Sequence, residues 1–242
     1  MLIFIRIIIL LPAILCMIIG VTASAKDLKA SIAQMPIHAE SKDKGVLVDL
    51  VKAIAEVSGH KTDIRVVPFK RSVYYVTSGK ADFHLPLIKN PALREETLDY
   101  DYSTETIFHV NFVLYSNKNK AINKAHLKNY YIETDLAHVR YFDFPVHPSS
   151  KIKNSLIKAD MGRTDGFIFA DTACDPLIKK YNFKNIRRKL YKRFEVKIVL
   201  PKGGRGGETD KILTSAINKL RKSGRYQKIM GTIDLPYDDW QP

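Results

Sequence analysis

Residues 45–59, GVLVDLVKAIAEVSG, and the run that follows them through Pro68-Phe69 and 78–87, SGKADFHLPL, to Arg94 in 93–103, LREETLDYDYS, decide the fold. Leu47, Leu50, Val51, Ile54 and Val57 recur at spacings of three and four, which predicts a helix with one buried face, and Gly59 stands where a left-handed cap ends it. Residues 65–67 form a short strand stopped by Pro68, and 70–78 return to the helical period until Gly79. Residues 82–87 are apolar, too short for a helix, and suit a strand covered on both faces; a turn at Asn90-Pro91 follows. Helix, strand, helix, strand and then a loop presenting an arginine is how a small-ligand site is built at the edge of a parallel sheet.

Working outward, 104–116, TETIFHVNFVLYS, is long, alternating and β-rich, as a strand leaving one lobe for another would be, and 195–201, EVKIVLP, reads as the return crossing. Between them lie a strand at 130–133, a helix at 135–142 capped by Thr134, a helix at 151–158 capped by Ser149 or Ser150, and a buried strand at 166–170. The expectation is an α/β protein of two lobes joined by a two-strand hinge. Its first lobe takes 26–109 and 198–242, and its inserted lobe takes 110–197. The glycine-rich 202–208, KGGRGGE, lacks the Lys-Ser/Thr ending of a phosphate loop and reads as a turn. After it come an amphipathic helix at 209–222, ended by Gly224, a shorter helix at 225–230, and an aromatic tail at 236–242 expected to pack on the first lobe.

The composition, 45% hydrophobic and 26% charged over 242 residues, is that of a globular protein. Residues 7–19 depart from it: almost wholly apolar, preceded by Arg6 and followed by Ala23-Ser24-Ala25, they read as an export signal whose removal leaves a chain beginning at Lys26 outside the cytoplasmic membrane. An uncleaved anchor over 2–21 is the alternative. Leu15 stands where a small residue would be needed to make Cys16 a lipidation site. Cys174 is then the only cysteine, so no intramolecular disulfide forms; with no histidine near it, it reads as a small buried residue rather than a nucleophile. The seven histidines are scattered singly, and neither a metal nor a cofactor is expected. The net charge of +14 is densest at 179–193, which holds eight lysines and arginines and no acid. Aromatic residues interleave there, yet no nucleic-acid motif accompanies them, so nucleic acid is not expected; a solvated face, or a docking surface for a membrane protein or lipid headgroups, remains.

In order and spacing, the helix 45–50, Pro68-Phe69, the segment 78–82 and Leu93-Arg94 resemble the bacterial periplasmic solute-binding proteins that bind polar amino acids, family 3. The resemblance runs over nearly all of the exported chain and is weakest at 118–158. It implies that Arg94 pairs with a ligand α-carboxylate, to which a guanidinium offers two parallel hydrogen bonds. It also implies that Phe69 covers the ligand's side chain and that the loop 34–40, apolar through Met35 and Ile37, forms another wall. Read alone, Arg94 is equally a surface residue paired with Glu95, Glu96 or Asp99, and Phe69 a core side chain. Leu87 and Lys89 stand where family members have a small residue and a Thr or Ser, and a second cation beside Arg94 suits a second anionic group. Two extra residues precede Tyr102-Ser103. In the second lobe 162–166, GRTDG, matches the turn before the strand that leads to an ammonium-binding Asp. Aligned without a gap that position is Ala170, and Asp171 serves only if the strand has ended or bulged. Thr134 and Asp135 lie where backbone N–H groups of family members hold the carboxylate; Asp135 opposes that charge unless it caps the helix.

The resemblance implies a non-catalytic, monomeric periplasmic receptor. It would capture a small polar or anionic solute, amino-acid-like or a carboxylate, between its lobes and deliver it to an ABC-type permease or a sensor, without cofactor or metal. Two other readings stay open. A dehydratase-like enzyme on the same scaffold would draw its acid from Glu40, Glu133 or Asp171, although no pair of carboxylates is placed for it. A degenerate binding fold would serve protein contact.

Overall fold

The computed structural model describes residues 26–242, so the expected export signal lies outside the described residues. The first lobe begins with β1 (Leu28–Ala33), α1 (Val46–Ser58), β2 (Thr62–Val67), α2 (Phe69–Thr77) and β3 (Phe83–Ile88). β1 pairs in parallel with β2 on one side and β3 on the other, so the carboxyl ends of all three open the same way. The apolar stripe of α1, from Leu47 to Ile54, is buried against Leu28, Ile32, Phe83 and Leu85. Gly59 adopts the left-handed cap at φ 73 with its N–H on the Ala55 carbonyl. At the other end of α1, Gly45 has φ 136, and a Cβ there would lie 2.5 Å from the His38 carbonyl oxygen. Only glycine lets the loop after β1 close onto this helix, where the Ile37 and His38 carbonyls accept from Val46 and Leu47.

Two long strands, β4 (Tyr100–Asn117) and β8 (Ile186–Pro201), run antiparallel from Tyr100 opposite Pro201 to Asn117 opposite Ile186 and carry the chain from one lobe to the other and back. Between them lie β5 (Ile132–Asp135), a 3-10 turn (Leu136–Tyr141), β6 (His147–Ser149), α3 (Ile152–Asp160), β7 (Gly166–Ala170) and α4 (Asp171–Tyr181). After them α5 (Glu208–Lys222) and α6 (Arg225–Met230) return to the first lobe. One sheet passes through both lobes in the order β2-β1-β3-β8-β4-β7-β5-β6. Along β4 the alternation sends Phe112 and Leu114 to one face and Val113 and Tyr115 to the other, each with its own cluster, so the inserted lobe is buried on both sides of its sheet. Among the described residues no helix is long and apolar enough to cross a membrane.

Four expectations need correction. The helix expected at 135–142 is a 3-10 turn, and its cap is Asp135, which accepts from the Ala137 N–H; Thr134 lies inside β5 with its hydroxyl on the Ile168 carbonyl. Neither Ser149 nor Ser150 caps α3, because Ser149 belongs to β6 and Lys151 takes the cap position. Residues 171–181, given no element by the sequence reading, form α4 despite Pro176 inside it. The tail packs on the second lobe, not the first: Tyr237 and Trp240 join the cluster around Val113, Tyr115 and Cys174. The reason is Arg188, whose side chain is 1% exposed and must find acceptors; Asp175 supplies two, and the Asp238 and Trp240 carbonyls supply the rest.

Candidate functional site

The first lobe offers three pieces at the open ends of its strands. The loop after β1 is a tight turn in which Met35 and Ala39 exchange two 2.9 Å backbone hydrogen bonds, leaving Met35 half-buried and Ile37 64% exposed at φ 68. At the start of α2, Phe69 is 42% exposed, which excludes the core reading, and its ring meets that of His84 edge-on at 5.6 Å. Beyond β3, Arg94 is exposed in the loop before the 3-10 turn Glu95–Thr97. Among the described residues its guanidinium makes no ion pair, and the pairing with Glu95, Glu96 or Asp99 does not occur. Glu95 is taken by Lys89 at 2.6 Å and Arg205 at 2.9 Å. The hydrogen bond from Lys89 is the chief reason the Glu95 carboxyl is held below its ordinary range.

That pairing corrects the second-cation argument, because the charge of Lys89 is compensated within its own lobe. Leu87 packs against Val76, Ala81 and Val199 beneath α2 and is partly buried there.

In the second lobe the candidate groups are engaged locally. Thr134 is fully buried in the sheet. Asp135 accepts from the Ala137 N–H and from His138 Nδ1, both at 3.0 Å, so the N–H expected to meet a ligand carboxylate already meets a side-chain one. Asp171 satisfies the condition set by the alignment, since β7 ends at Ala170 and Asp171 opens α4. Its carboxylate accepts from Asn111 Nδ2 at 2.9 Å and from the Thr172 N–H at 2.7 Å. Burial, the largest influence, raises its pKa above the usual aspartate value.

The two lobes touch through residues the sequence reading missed. The Tyr141 hydroxyl donates to the Ile88 carbonyl, and Asn90 Nδ2 donates to the Arg140 carbonyl, both at 3.1 Å. The Tyr102 hydroxyl accepts from the Asn90 N–H at 3.3 Å and lies 3.4 Å from that of Tyr100. Burial raises the Tyr100 and Tyr141 phenols above their ordinary range, so they remain neutral hydrogen-bonding groups. Tyr100 opens β4 two residues before Tyr102, and the two rings meet edge-on with their centroids 5.4 Å apart. Cys174 is buried in the core of the second lobe, which pushes its thiol pKa well up and leaves it inert. Among the described residues no group of three His, Cys, Asp or Glu side chains is placed to hold a metal ion.

Compared with known proteins, residues 29–232 match the profile of the bacterial extracellular solute-binding proteins, family 3. Among solved structures, the GluR0 ligand-binding core from Nostoc punctiforme, in complex with L-glutamate, is similar at a TM-score of 0.61 and 15% identity, over 86% of this chain and 100% of that one. The arginine-, lysine-, histidine-binding protein ArtJ from Geobacillus stearothermophilus aligns at 0.59 and 16%, over 86% and 94%. A histidine kinase sensor domain with similarity to periplasmic binding proteins aligns at 0.61 and 15%, over 86% and 96%. No curated protein sequence matches significantly.

Proposed function

This chain belongs to the bacterial extracellular solute-binding proteins, family 3, and from that premise we propose that it is a non-catalytic receptor which captures a small carboxylate-bearing solute between its lobes. The observation that carries the reading is Arg94: exposed, without an ion pair among the described residues, and close in sequence to a cation, Lys89, that its own lobe neutralises. One uncompensated guanidinium suits one carboxylate, by bidentate hydrogen bonding. Phe69 and the turn 35–39 supply apolar walls for the rest of the solute. With Lys89 compensated, a monocarboxylate or an amino acid fits better than a dicarboxylate or a phosphorylated compound.

In this reading the exported chain begins at Lys26, works in the periplasm as a monomer, and passes its solute to an ABC-type permease or a sensor. Residues 110–197 are the moving lobe. A melting-temperature screen of carboxylates and amino acids tests the proposal: a solute is expected to raise the melting temperature of the wild type and not of Arg94→Ala. A solute that protects both equally removes Arg94 from the site.

A second reading has its own observation. Asp135, Thr134 and Asp171 are all engaged within the second lobe, and Tyr141 bridges to Ile88, as in a binding fold kept for protein contact. If no solute in the screen shifts the melting temperature, that reading replaces the first.

A further inference from the structure

The charge of this protein is not spread over it. Residues 110–197 hold 18 lysines and arginines against 8 acids, while residues 26–109 hold 12 against 12, so the inserted lobe accounts for most of the net +14. The fold gathers part of that excess on one surface. α4 ends in Lys179 and Lys180, and Lys118 and Lys184 flank the turn where it meets β8; Arg187 and Lys189 alternate with Ile186 and Arg188 along β8 and so face the other side of the sheet. All four lysines are exposed, and none forms an ion pair among the described residues, whereas Lys120, Lys158 and Arg193 in the same lobe do. Lys118, Lys179 and Lys184 converge with Phe183 and Trp240 on a cavity of about 450 Å³. Lys179 lies 4.5 Å over the Trp240 ring, and Lys118 Nζ donates to the Pro242 carbonyl at 2.7 Å.

Local structure explains part of the pattern. Lysines complement the carboxyl end of α4, and charged residues suit the stretch of β8 that has β4 on one side and no strand on the other. Neither need calls for three lysines converging on a tryptophan.

We propose that this surface docks the protein on an anionic phospholipid membrane. The choice of lipid over an acidic protein rests on residue type. Of the 18 cations in the lobe 13 are lysines, point charges on flexible stems that suit a diffuse field of headgroups. The one buried guanidinium, Arg188, is turned inward to Asp175 and the tail. Trp240 and Tyr181 sit among the lysines as amphipathic rings do at headgroup depth, with Phe183 stacked on Tyr181. Asp238 and Asp239 on the tail and Asp160, which accepts from the Asn185 N–H beside Lys184, leave the four lysines in excess.

Trp240 is the only tryptophan of the chain, so its fluorescence reports on this surface alone. Exported protein is titrated with vesicles of phosphatidylcholine, with and without phosphatidylglycerol. Expected are a blue shift and co-sedimentation with the anionic vesicles only, both lost as salt shortens the screening length from about 30 Å to about 3 Å. Replacing Lys179, Lys180 and Lys184 by Gln together should weaken vesicle binding about 100-fold, while the same change at the exposed Lys42, Lys61 and Lys80 of the first lobe leaves it within about twofold. No binding to anionic vesicles at low salt overturns the proposal, as does equal loss in the two triple variants. A blue shift with polyglutamate but not with vesicles overturns it in favour of an acidic protein.

Discussion

In the first lobe Arg94 and Phe69 stand exposed at the open ends of the strands; Glu95, next to Arg94 in sequence, is held by Lys89 and Arg205, and neither Glu96 nor Asp99 pairs with Arg94. In the second lobe Asp135 caps its own turn, the Thr134 hydroxyl is bonded across the sheet, and the Asp171 carboxylate is shared between Asn111 and Thr172. The difference teaches that a similar chain course does not carry a similar charge balance: of the candidate site groups, the first lobe leaves Arg94 free for a partner, and the second uses Thr134, Asp135 and Asp171 to hold itself together.

The most forceful way to probe that contrast is Arg188, the clearest case of a charge used internally. Arg188→Ala leaves Asp175 half-buried without its cation and frees the tail, and is expected to cost about 3–5 kcal/mol of stability in urea unfolding. Arg94→Ala should do the reverse. Stability should change by no more than about 0.5 kcal/mol, since the side chain is exposed and unpaired. The affinity for a carboxylate solute should fall by about 2–5 kcal/mol in titration calorimetry. If the two variants destabilise the protein equally, the contrast between the lobes fails.

A third test uses acid. His84 is fully buried beneath Phe69, with Nδ1 2.6 Å from the Ser72 hydroxyl and no partner at Nε2, and burial lowers its pKa from 6.5 to about 4. Between those values the unfolded chain binds a proton that the folded chain refuses, so stability is complete above pH 6.5 and is lost as pH falls toward 4. The loss amounts to at most about 3 kcal/mol. His84→Gln should flatten this part of the profile; an unchanged slope would assign the acid sensitivity elsewhere.

How much of this was legible depended on whether a residue's role was fixed by neighbours in sequence or by distant ones. The α1 stripe, the Gly59 cap, the ending of β2 before Pro68 and the bounds of β7 follow from local pattern and were read from it. Arg94 and Phe69 came from motif order, and both side chains are exposed. The engagement of Lys89 by Glu95 was hidden because five residues separate them across a turn. The place of the tail was hidden further: Arg188 and Trp240 lie 52 residues apart, and nothing local says that a buried guanidinium needs those carbonyls. Asp135 rather than Thr134 as the cap was a choice between adjacent capping residues, decided by where β5 ends.

The finest test of the contrast is Asp171, the one group of the second lobe that could still belong to the site. Its pKa is raised by burial, so above the ordinary value of 3.8 the folded chain holds a proton more tightly than the unfolded one. The group therefore stabilises less as pH rises through the window above 3.8, opposite in sign to His84. Asp171→Asn keeps an oxygen for the Thr172 N–H while removing the charge. It should leave stability at neutral pH unchanged or slightly higher and abolish the Asp171 contribution to the slope. If Asp171 also holds a ligand ammonium group, the variant should bind amino acids more weakly while binding simple carboxylates as before. Equal affinity for both classes would leave Asp171 a structural residue and confine recognition to the first lobe; a drop in stability at neutral pH would mean that its hydrogen bond from Asn111 outweighs the burial of its charge.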